Sequence, residues 1–153
     1  MYHTTYTEDF IKELYTKIGI LTTLQLDFQT IAMQLGIQVF YWPDNSQALF
    51  LKKRYFIFLN KQLSQQLQWQ DFCHELGHVL LHTGHQGRMS SLFREYQENK
   101  ANNFMYHACV PSFMLDEINL GNLTVEYVQQ LFNVEYDFAL KRLEQYFSKR
   151  QLY

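Results

Sequence analysis

The chain has 153 residues, 47% apolar and 17% aromatic, which suits one compact domain with a sizeable core and excludes a disordered chain. The net charge is −2 with no block of basic residues, so no broad electrostatic surface for nucleic acid is indicated. Cys73 and Cys109 do not make a disulfide framework, no run approaches the roughly 18 apolar residues of a membrane span, and the first five residues lack a signal-peptide pattern. The expected setting is cytoplasmic.

A helix is expected over residues 8–19, where Phe10, Ile11, Leu14, Tyr15 and Ile18 share one face and Glu8 and Asp9 favour the start. A second, over 24–35, uses Leu24, Phe28, Ile31, Ala32 and Leu35 and ends at Gly36. The period then changes to two. Residues 37–41 read as a strand, Pro43 to Ser46 as a turn, and 48–51 and 55–59 as strands joined through Lys52, Lys53 and Arg54. Helical spacing returns over 64–82 in Leu67, Phe72, Leu76, Val79 and Leu80, with Ser64 as N-cap and Gly84 as a stop. A polar loop, 83–90, leads into a helix over 91–109 that Pro111 closes, and the C-terminal part, about 112–153, is helical. No repeat or linker divides the chain, so a single domain is expected over 1–153. The fold class is α+β, mostly helical with a small three-stranded sheet.

Within the helix at 64–82, residues 74–78 read His-Glu-Leu-Gly-His. One helical turn apart, His74 and His78 project from the same face and can grip one metal ion. Glu75, one position round, can polarise a water without being a ligand. The alternative is an ordinary pair of histidines on an amphipathic helix, but a glutamate in register with both favours a zinc hydrolase site.

Such a site usually takes three protein ligands and leaves a fourth position for water. Glu95 and Glu98, on the next helix, are the candidates for the third. Glu98 is favoured because Asn102 lies four residues on, placed to bond a histidine's other ring nitrogen. The bland reading makes both glutamates solvated helix charges. His82 is too far along the helix to share one ion with both other histidines and reads as a residue behind the ligands or a helix C-terminal cation. Cys73 points away from His74, into the core. Tyr106, His107, His85 and Arg88 are unranked candidates for stabilising an oxyanion.

The run His74 to His82, then Glu98-Asn99-Lys100-Ala101-Asn102-Asn103-Phe104, then Pro111 resembles the ImmA/IrrE metallopeptidases. The strand end Ile57 to Asn60 and the segments Leu131 to Val134 and Ala139 to Leu143 extend the likeness over roughly residues 20–145. Met105, Lys100 and Ala108-Cys109-Val110 depart from the family pattern at packing and rim positions, which bear on substrate fit more than on metal binding. The resemblance implies a zincin-like fold, Zn²⁺ (with Mn²⁺ or Fe²⁺ as other occupants) on His74, His78 and Glu98, and Glu75 as catalytic base. It also implies a partner: a helix-turn-helix repressor that is cleaved to relieve repression, as in the short ImmA form of phages and mobile elements.

Two other readings compete. One is an antirepressor that keeps the zincin scaffold and works by sequestering the repressor. The other takes residues 124–143 as a helix-turn-helix DNA reader, against which stand four acidic and four basic residues over 123–153 and hence no positive excess. A peptide substrate is expected to lie along the edge of one of the strands between 37 and 59. Lys52, Lys53 and Arg54 read as a solvated turn or part of a docking surface. The sequence leaves the scissile bond and the oligomeric state open.

Overall fold

The computed structural model describes residues 3–81 and 90–150. Helix α1, Tyr6–Lys17, starts two residues before the expected point because Thr5 and Glu8 form a capping box. The Thr5 hydroxyl accepts the Glu8 N–H at 3.2 Å, and the Glu8 carboxylate accepts the Thr5 N–H at 2.9 Å. Ile11 and Tyr15 on its inner face are fully buried. Helix α2, Phe28–Leu35, is shorter than expected. Asp27 caps it by accepting the Thr30 N–H, and residues 23–25 turn aside in a 3-10 helix that leaves Leu24 95% exposed. Gly36 ends α2 at φ +71°, a left-handed cap that residues with a β-carbon adopt at a cost.

The three strands are β1 (Gln38–Trp42), β2 (Gln47–Leu51) and β3 (Arg54–Asn60), in the order β1-β3-β2. β1 runs parallel to β3, and β2 antiparallel. Lys52 and Lys53 alone make the β2–β3 turn; Arg54 belongs to β3 and pairs with Leu51. On β3, Ile57 and Leu59 are fully buried, and the sheet's helical neighbours are α2 and α3 (Gln65–Leu80).

Ser64 caps α3, accepting the Leu67 N–H. Helix α4, Ser91–Cys109, has the bounds that the hydrophobic spacing predicts. The two helices make the largest helix–helix contact of the described residues, and a glycine sets their separation. A β-carbon at Gly77 would stand 3.2 Å from the Ala101 Cα and 3.3 Å from its carbonyl oxygen. Backbone atoms cannot swing aside as a side chain can. Gly77→Val should therefore cost about 2 kcal/mol or more and spread the helices. Chemical denaturation of the metal-free chain measures it, and an unchanged midpoint would remove Gly77 from this role.

Helices α5 (Ser112–Leu115), α6 (Val125–Phe132) and α7 (Tyr136–Arg150) follow. Trp69 of α3 donates to the Phe132 carbonyl at 3.1 Å, and the Tyr15 hydroxyl to the Ala108 carbonyl at 2.7 Å. The helix pair at 124–143 thus forms, with Asn133 left-handed at the end of α6. Its cations, however, are partly engaged inside. Arg142 is 1% exposed, donating to the Val110 carbonyl and the Ser112 hydroxyl, and Arg150 pairs with Glu8 and Asp116. Both cysteines are buried and free. Among the described residues no helix is long and apolar enough to cross a membrane.

Candidate metal centre

Helical spacing on α3 sets His74 and His78 side by side, their rings edge to face with centroids 4.8 Å apart. Across the Gly77 crossing, α4 brings in Glu98. Its Oε2 lies 3.0 Å from His74 Nε2 and its Oε1 lies 2.9 Å from His78 Nε2, while the two Nε2 atoms are 3.2 Å apart. Three donors on a tetrahedron with zinc-type bond lengths of about 2.0–2.1 Å stand about 3.3 Å from one another, close to these separations. Among the described residues this trio is the cluster of metal-ligating side chains that converges. Glu95 is exposed on α4 and outside it.

The electrostatics suit a cation. Burial pulls the His78 pKa below its ordinary value, against the opposing pull of the Glu98 carboxylate, and so favours the neutral imidazole a metal requires. Glu75 lies beside the trio, its Oε2 4.0 Å from His74 Nε2. The backbone N–H of Ala48, on β2, donates to Glu75 Oε1 at 2.8 Å. Burial pushes the Glu75 carboxyl up to about 8, the Ala48 hydrogen bond acts in the opposite direction, and the negative charges of Glu98 and Asp71 add to the rise. A divalent cation among these donors would offset that crowding of carboxylates.

Among the described residues, the other expected site residues are not brought to the cluster. Asn102 is exposed on α4, and among the described residues no hydrogen bond joins it to either histidine. Tyr106 stacks on Phe138 with centroids 4.3 Å apart, and His107 lies in the seam between α1, α4 and α7. His82, His85 and Arg88 lie outside the described residues. Sequence reasoning assigned no role to Gly77 or to Ala48. A glycine inside a helical pattern was a signal for the first; a backbone N–H on one strand of three carries none.

His107 has a structural consequence instead. Burial, reinforced by the Arg142 guanidinium, lowers its pKa to about 4, against its bond to the Asn103 carbonyl and the Glu8 carboxylate. The folded imidazole thus stays neutral where the unfolded one, at about 6.5, gains a proton. Stability should fall as pH drops from about 6.5 to 4, by about 2–3 kcal/mol from this group. Urea titration of the metal-free native chain and of His107→Gln at pH 7 and 4.5 tests this: the substitution should shift the stability change between the two pH values by that amount towards stability at the lower pH, whatever Glu75 contributes with opposite sign, and an unshifted difference would refute it.

The fold and the cluster define an α+β domain of the zincin-like class. The chain belongs to the Peptidase_M78 family, described as IrrE N-terminal-like domain, whose profile matches residues 32–144. It is 40% identical over 142 residues to the phage-like element PBSX protein XkdA of Bacillus subtilis (strain 168), covering 91% of this chain and 72% of that protein. It is 38% identical over 151 residues to the uncharacterized protein YqaB of the same organism, covering 97% and 88%. A solved Mycobacterium tuberculosis transcriptional regulator is similar in fold, with a TM-score of 0.68 at 14% identity over 90% of this chain. This chain spans 46% of that regulator.

Proposed function

We propose that the chain is a zinc-dependent endopeptidase that cleaves a helix-turn-helix repressor at a specific site and so relieves repression in a phage or mobile element. The observation that carries this reading is the meeting of His74, His78 and Glu98 with the Glu75 carboxylate alongside. Family membership and the phage-like relative support it.

His74, His78 and Glu98 would hold the ion; the donor set suits Zn²⁺ and also admits Mn²⁺ or Fe²⁺. When bound, the cation supplies Lewis acidity that makes water a better nucleophile and a peptide carbonyl a better electrophile. Glu75 takes the proton from the attacking water and returns it to the departing amine. The Ala48 N–H fixes the Glu75 carboxylate in place and joins the base to β2, an edge strand. An extended peptide laid along that edge would present its carbonyl beside the base.

Co-expression with the helix-turn-helix repressor encoded beside the gene, followed by mass spectrometry, tests the reading. Repressor fragments should appear with the native chain and vanish with Glu75→Gln or on chelation. An intact repressor that co-purifies equally with both forms would instead identify a sequestering antirepressor.

A further inference from the structure

The sheet has a second face that the metal centre does not use. Its register places Phe40 and Trp42 of β1 beside Phe56 and Phe58 of β3, with Leu49 and Leu51 of β2 continuing the same surface. The four aromatic rings form a ladder: Phe40 stacks on Phe56 and Phe58 at 6.2 and 5.6 Å, and Trp42 lies 4.7 Å from Phe58. On the central strand Ile57 and Leu59, pointing the other way, are fully buried, while on that side only the edge residues Tyr41 and Phe50 are open, at 50% and 58%; on this face Phe40 is 45% and Leu51 55% exposed. A contiguous aromatic surface of this kind is unusual on a face open to solvent.

The charge at its end is one-sided. Lys52, Lys53 and Arg54 are all exposed at the β2–β3 turn, and register puts Arg54 on this same face. The other polar residues of the face, Gln38, Gln47 and Asn60, are neutral. The turn itself is strained. Lys52 and Lys53 hold φ of +51° and +66°, the left-handed values of a two-residue hairpin turn normally taken by Asn-Gly. Lysine at both positions accepts a steric cost that Asn-Gly would avoid, and places two ammonium groups at the tip of the sheet.

We propose that this aromatic face and its cationic turn form a docking surface for an acidic amphipathic segment of the protein on which the metal centre acts. The segment's apolar side would lie on the ring ladder, and its carboxylates would meet Lys52, Lys53 and Arg54. The identity of the partner rests on the peptidase reading; the recognition chemistry does not.

A direct test is fluorescence anisotropy with a labelled amphipathic peptide of Leu, Phe and Glu, and with its counterpart carrying Lys for Glu. The Glu75→Gln chain is used so that binding is read without cleavage. The acidic peptide should bind at least tenfold more tightly than the basic one, and weaken with salt. Lys52→Asn/Lys53→Gly should raise the thermal midpoint yet weaken acidic-peptide binding at least tenfold, and Phe40→Ser should weaken it similarly. Equal binding of the two peptides, or full binding by the more stable turn variant, would overturn the proposal. So would a sedimenting dimer that Phe40→Ser dissociates, since a second copy would then occupy the face. In the Glu75-containing chain, the turn variant should raise KM for the repressor and leave cleavage of a short peptide across the scissile bond unchanged. Absence of any cleavage would count against the peptidase reading alone, because the anisotropy result still decides docking.

Discussion

Glu75→Gln is expected to reduce peptide-bond cleavage by about 10²–10⁴-fold while the protein keeps its metal. The substitution is nearly isosteric, and the amide oxygen can still accept the Ala48 N–H that holds Glu75 Oε1 at 2.8 Å. The geometry therefore survives and only the proton acceptor is lost. The pH dependence should follow the metal-loaded form rather than the metal-free value of about 8, because a cation near the carboxyl favours its ionised state. Rates and bound metal are measured on the same preparation. A variant that loses both would make Glu75 a structural support, and one that keeps full activity would end its role as base.

Glu98→Gln should weaken metal binding by at least about 100-fold, and Glu95→Gln should leave it unchanged. The contrast is sharp because the two glutamates lie on the same helix, one turn apart. Glu98 reaches both imidazoles, at 3.0 and 2.9 Å, whereas Glu95 is exposed and outside the cluster. A single carboxylate spans the two histidines, so neutralising it removes both an anionic donor and the charge that draws a cation into the site. Titration against a chelator of known affinity gives the two constants. Equal losses from the two variants would mean that a general negative field, and not a ligand, attracts the ion.

Residues whose roles follow from local spacing are legible in the sequence itself. The bounds of α4, the Ser64 cap and the pairing of His74 with His78 are set by periods of three to four residues, which the sequence displays directly. The start of α2 is not legible in this way, because apolar periodicity continues through Leu24 while Asp27 supplies a better cap three residues later. Asn102 fails for a related reason: correct spacing from Glu98 does not establish reach to a histidine on another helix. The choice of β2 as the strand beside Glu75 depends on a non-local pairing order, β1-β3-β2, that alternating hydrophobicity does not encode.

The donors of the metal centre are divided between α3 and α4, whose backbones approach through Gly77. An ion held there acts as a clasp across the helix hairpin, and its strength is set by mass action. Each tenfold rise in free ion above the dissociation constant adds about 1.4 kcal/mol to the folded state. Metal supply would then set how often the chain unfolds, and with it how readily a protease reaches its backbone.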